Sequence, residues 1–136
     1  MDSNSLAKPL AMIIEDNEDQ NLVFVKALEW AGYSTESIRD GATAQKRLTE
    51  VVPKLIVLDL HLPGVDGKKL LGQIRDDSRL LNTRVILATA DALQASMLQT
   101  QADFVFVKPI SFYQLNQIAS RLISQPKHKG GSPPPS

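Results

Sequence analysis

The sequence predicts a single α/β domain in which five β-strands alternate with five α-helices, a (βα)5 order wound into a parallel five-stranded sheet with helices on both faces. Two patterns and a length carry that prediction. Short apolar runs without polar alternation recur along the chain, as expected of parallel strands buried on both sides. Between them, apolar residues return at helical spacing. The 136 residues, 43% of them hydrophobic, suffice for one core and leave no room for a second domain.

Taken in order, Leu10 to Ile14, Lys54 to Leu58, Arg84 to Ala88 and Phe104 to Val107 read as buried strands. Tyr33 to Ile38 alternates polar and apolar residues and suits a strand nearer an edge. Phe24, Ala27, Leu28 and Ala31 form the stripe of a first helix, which Gly32 ends and whose margin Trp30 covers. Ala44, Leu48, Val51 and Val52 predict a second helix running to Pro53. Leu70, Leu71 and Ile74 mark a third from about Gly67, and residues Asp91 to Thr100 a short fourth. The fifth starts at Ser111, where Gln114 has the spacing of a capping box, and is predicted to bury Phe112, Leu115, Ala119 and Leu122.

Composition excludes several functions. Fifteen basic against fifteen acidic side chains argue against a direct nucleic-acid or anionic-lipid partner. Without cysteine, and with only His61 and His128, neither a thiolate nucleophile nor a Cys- or His-rich metal site can be built. No apolar run approaches the roughly 20 residues of a membrane span. The start, with Asp2 and Lys8, is unlike a signal peptide, so a cytoplasmic location is expected. Residues 125–136 hold four of the eight prolines and no aliphatic or aromatic side chain, which predicts a disordered tail after a folded unit of residues 1–124. That unit has 13 basic and 15 acidic side chains, a net charge of −2.

Ligands of doubly wound sheets gather at the carboxyl ends of the strands. There the sequence places Glu15 and Asp16 after the first run and Asp59 after the third strand's run. Three converging carboxylates repel one another unless a hard divalent cation is shared among them, and Mg²⁺ suits such oxygen ligands. Glu15 and Asp16 could instead cap the first helix. Glu18 and Asp19 are assigned only to the helix dipole. Asp59 is followed by the turn Leu60 to Gly67, which is expected to leave it exposed. Thr89 and Lys108 end the remaining two strands. A metal-holding acidic pair, an acceptor carboxylate, a hydroxyl and an ammonium are the groups that phosphoryl transfer to an aspartate requires.

At these residues the sequence resembles the receiver domain of two-component response regulators. The resemblance runs from about Leu10 to Leu122 and is carried by Ile13-Ile14-Glu15-Asp16-Asn17, Leu58 to Gly67, Leu87-Ala88-Thr89-Ala90 and Val107-Lys108-Pro109. It implies a flavodoxin-like receiver fold of strand order 2-1-3-4-5. Asp59 would be the phosphoacceptor, taking its phosphoryl group from a sensor histidine kinase or a histidine phosphotransfer protein. Glu15, Asp16, Asp59 and the backbone carbonyl of His61 would hold Mg²⁺, Thr89 and Lys108 would bind the phosphoryl oxygens, and the bond before Pro109 would be cis. His61 and Asp91, two residues after Asp59 and Thr89, stand where this family tunes phosphoryl entry and loss. Such a module assists only its own phosphotransfer and dephosphorylation and is not an enzyme with a separate substrate. The resemblance names no output protein, and it leaves a homodimer open.

The sequence departs from the family at the switch position, where an aromatic residue is replaced by Val105 between Phe104 and Phe106. Eighteen residues separate Thr89 from Lys108, which predicts a shortened fourth helix. These departures motivate an alternative, a receiver-like adaptor that binds partners without phosphorylation. A phosphatase of the haloacid dehalogenase type would want a second Asp at the position of His61. A flavodoxin-type carrier would not place Glu15 to Asp19 against a flavin phosphate.

Overall fold

The computed structural model describes residues 7–125. The expected tail, apart from Gln125, and the N-terminal residues Asp2 and its neighbours lie outside them. The elements are β1 (Leu10–Ile14), α1 (Glu18–Ala31), β2 (Ser34–Ile38), α2 (Gly41–Leu48), β3 (Leu55–Asp59), α3 (Gly67–Asp76), a 3-10 turn (Ser78–Leu80), β4 (Arg84–Thr89), α4 (Ala92–Met97), β5 (Phe104–Val107) and α5 (Phe112–Ile123). The five strands form one parallel sheet in the order β2-β1-β3-β4-β5.

Period-2 alternation divides the apolar strands between two cores. Met12, Ile14, Ile56, Leu58, Val85 and Leu87 face the side covered by α2, α3 and α4. Ala11, Ile13, Leu55, Val57, Ile86 and Ala88 face α1 and α5, where Phe24, Leu28, Leu115 and Ala119 meet them. Both strand faces are therefore apolar, which is why the central runs lack alternation. The edges differ. The weakly apolar β2 closes one edge, and β5 at the other is only partly buried.

Several local expectations are corrected. The second helix stops at Leu48, short of Pro53. After Leu48 the chain tightens into a turn: Thr49 and Glu50 N–H donate three residues back, to the Lys46 and Arg47 carbonyls, and Val51 N–H shares the Arg47 carbonyl, while the Thr49 hydroxyl donates to the Lys46 carbonyl and Arg79 captures that of Leu48. The second strand begins at Ser34, because Tyr33 N–H donates to Leu28 O in the cap that ends α1 at Gly32. The third and fourth strands extend one residue further than their apolar runs, through Asp59 and Thr89, and the third begins at Leu55. The fourth helix covers only Ala92–Met97, with Asp91 as its N-cap. Phe112 is exposed, as the first residue of α5, and Trp30 is 79% exposed rather than packed at the α1 margin. Their rings meet edge to face with centroids 6.2 Å apart. The capping box of Ser111 and Gln114 is present.

Candidate phosphoacceptor and metal site

The carboxyl ends of β1, β3, β4 and β5 bring Glu15, Asp59, Thr89 and Lys108 to one edge of the sheet. Asp59 is the last residue of β3 and pairs with Ala88, while Leu60 N–H continues the ladder to Ala88 O. It is therefore 3% exposed, contrary to the exposed position its following loop suggested. The loop reaches solvent only from His61, whose N–H donates to Asp59 Oδ1 at 3.0 Å. Close packing fixes that turn from the far side. A Cβ on Gly67, the first residue of α3, would lie 2.5 Å from Leu60 O and 2.6 Å from its Cα.

Glu15 is 1% exposed. Its Oε1 accepts from Lys108 Nζ at 2.8 Å and its Oε2 from Asn17 N–H at 3.1 Å. Lys108 Nζ also lies 3.3 Å from Asp59 Oδ2, so one ammonium serves two buried carboxylates. Burial pushes the Glu15 carboxyl above its ordinary range, and the negative charge of Asp59 adds to this, against the opposing hydrogen bonds from Lys108 and Asn17. Burial alone would lower Lys108. The hydrogen bond to Glu15 and the charge of Asp59 outweigh it and hold the ammonium above its usual value.

Asp16 is exposed beside them, and Asn17 rather than either acid caps α1, its side chain accepting from Gln20 N–H. Glu18 and Asp19 occupy the first turn of that helix. Among the described residues, Glu15, Asp16 and Asp59 each offer a carboxylate oxygen, all within 4.8 Å of one another. This all-oxygen donor set, carrying three formal negative charges against one ammonium, fits a hard divalent cation.

Thr89 is fully buried, and its Oγ1 accepts from Asp91 N–H at 3.1 Å. Asp91 is exposed with its carboxylate engaged by Leu93 and Gln94 N–H. His61 lies at the margin of the pocket over Asp59, with Gln20, Val23 and Ala90. The Lys108–Pro109 peptide is cis. Val105 packs on the α4 side with Leu98 and Ala102, whereas Phe104 and Phe106 pack on the opposite face.

Residues 11–120 match the response regulator receiver domain family. The chain belongs to that family. It is 35% identical over 103 residues to the polar-differentiation response regulator DivK of Brucella anthropi, covering 74% of this chain and 84% of that protein. It is 29% identical over 124 residues to a probable methanogenesis regulatory protein, FilR2, of Methanothrix harundinacea, covering 83% of this chain and 80% of that one. Among solved structures, the signal receiver domain of a signal transduction histidine kinase from Syntrophus aciditrophicus superposes with a TM-score of 0.75 at 31% identity, over 85% of this chain and 90% of that one. Receiver domains of this family are signalling modules of two-component response regulators, and this receiver has their strand order. No helix among the described residues is long and apolar enough to cross a membrane.

Four residues of the receiver's site escaped the sequence reading as contributors: Asn17, Asn21, Ser37 and Arg39. Only Asn21 carried a signal. It stands three residues before Phe24 and seven before Leu28, a polar side chain on a stripe that is otherwise apolar, and it is buried.

Proposed function

We propose that this receiver is the phosphoacceptor module of a two-component or phosphorelay system, with Asp59 taking a phosphoryl group from the phosphohistidine of a sensor histidine kinase or a histidine phosphotransfer protein. The observation that supports this reading is the placement of Asp59 and Glu15 around the single ammonium of Lys108, with the Asp16 carboxylate alongside. A carboxylate oxygen of Asp59 attacks phosphorus as the P–N bond to the donor imidazole breaks. The imidazole leaves with that electron pair and is protonated on nitrogen. Glu15, Asp16, Asp59 and the His61 carbonyl would hold Mg²⁺, which when bound supplies neutralising charge to the phosphoryl oxygens.

Lys108 and the Thr89 hydroxyl bind the phosphoryl oxygens of the adduct. Because Thr89 Oγ1 accepts from the backbone of Asp91, the N-cap of α4, moving that hydroxyl toward a new oxygen disturbs the start of α4 and biases the surface of α4, β5 and α5. His61 and Asp91 flank this path and tune the rates of phosphoryl entry and loss. Residues 1–124 form the module and 125–136 its tail. A second reading, a receiver-like adaptor that binds partners without phosphorylation, draws on the six-residue α4 and on Val105 at the switch position.

Intact mass after incubation with acetyl phosphate and Mg²⁺ tests the two. One added phosphoryl group, labile to hydroxylamine and lost in Asp59→Asn and without metal, is the expected result. No adduct, together with no protection of the fold by beryllofluoride, would leave the adaptor.

A further inference from the structure

Asn21 is a buried amide on the apolar stripe of α1, and a buried amide without partners is costly. Its Nδ2 donates to the Glu15 carbonyl at 2.9 Å and reaches the Ile38 carbonyl at 3.5 Å. Its Oδ1 accepts from the Ser37 hydroxyl, which orients the amide. One residue along, Arg39 Nε donates to the Asp16 carbonyl at 3.1 Å. The carbonyls of two consecutive acidic residues are thus both held from the α1 and β2 side. Because peptide units are planar, fixing these two oxygens fixes the peptide planes on either side of Asp16 and so the direction of its Cα–Cβ bond. Asp16 is exposed, so its backbone does most to aim its carboxylate.

We infer that Asn21 and Arg39 are positioning residues, which hold the backbone of Glu15 and Asp16 so that both carboxylates face a shared divalent cation. The inference rests on the proposed function, because it needs a cation at that cluster. The polar edge strand β2 thereby acquires a role, since Ser37 and the nearby Arg39 brace the metal-holding turn. Groups one shell out from a metal ligand commonly change metal affinity about 10- to 100-fold when removed.

The test is calorimetric titration of the full chain with Mg²⁺, beside the Mg²⁺-dependent rise in unfolding temperature. Asn21→Leu is expected to weaken Mg²⁺ binding about 10-fold or more, and Ser37→Ala and Arg39→Ala to weaken it less. Combining Ser37→Ala with Asn21→Leu should add nothing, since both act through one amide.

A merely structural role predicts another pattern: a lower unfolding temperature without metal and an unchanged Mg²⁺ affinity. That result overturns the inference while leaving the proposed function intact. Should Asn21→Leu fail to fold, the exposed Arg39→Ala and Ser37→Ala decide, and wild-type affinity in both overturns it. A wild-type chain that does not bind Mg²⁺ removes the inference and the metal-dependent function together, whereas wild-type binding and labelling with unchanged variants removes the inference alone.

Discussion

Lys108, at the end of β5, reaches Glu15, 93 residues earlier at the end of β1, with Nζ 2.8 Å from Oε1. The pair crosses the β3 terminus, and the same ammonium contacts Asp59 on the way. One ammonium thus bridges two buried carboxylates that the chain supplies from strands far apart in sequence.

Replacing Lys108 by Met should therefore destabilise the metal-free protein by about 2–3 kcal/mol at neutral pH, since it leaves two buried carboxylates without their cation. The side chain of Lys108 is partly exposed, which keeps the cost below that of a wholly buried pair. Urea unfolding with and without Mg²⁺ measures it. Mg²⁺ should narrow the deficit, because a cation at the same oxygens replaces the lost charge; equal stability of the two proteins without metal would show that the pair contributes nothing.

Two glycines of α3 should respond to alanine with opposite signs. At Gly67 the added Cβ meets Leu60 backbone, which cannot move without disturbing the turn after Asp59, so Gly67→Ala should cost about 2 kcal/mol or more. At Gly72 nothing lies within 4 Å, and Gly72→Ala should stabilise by roughly 0.5–1 kcal/mol through the unfolded chain. Urea midpoints at unchanged m-value read both. A neutral Gly67→Ala would mean that α3 does not approach Leu60 so closely.

Tyr33 should make stability fall at alkaline pH. Burial pushes its phenol up to about 12 against the opposing charge of Arg84, and its hydroxyl donates to the Ala119 carbonyl of α5 at 3.0 Å. A folded pKa raised above the unfolded value of about 10 gives stability that is complete below pH 10 and is lost as pH rises through 12, on the order of 2–3 kcal/mol in all. Tyrosinate absorbance and urea unfolding across that window, compared with Tyr33→Phe, isolate this contribution. Tyr33→Phe should cost about 1 kcal/mol at neutral pH and flatten the pH dependence between 10 and 12. An unchanged slope in the variant would assign the alkaline loss to other groups.

Much of the fold was legible because its signals are local. The apolar runs around Met12, Ile56 and Ile86 are strands by their own composition, and parallel strands covered on both faces need no alternation. Positions at strand ends followed directly, which is why Glu15, Asp59, Thr89 and Lys108 could be singled out before their meeting was seen. The misread features share a cause. The end of α2 depends on Arg79, 31 residues away, and the exposure of Phe112 and Trp30 depends on how far α1 and α5 overlap. Neither distance is written in a window of neighbouring residues.

By itself, then, the sequence determined the element order, the two-sided burial of the sheet and the residue types at its carboxyl edge, because backbone periodicity and side-chain polarity act over a few residues. Only the tertiary structure decided that Asp59 is buried, that Lys108 rather than solvent answers Glu15, and that Asn21 holds the Glu15 carbonyl. Each of these depends on strands adjacent in space but distant in sequence, where the register of the parallel ladder, set by the packing of both cores, fixes which side chains share an edge.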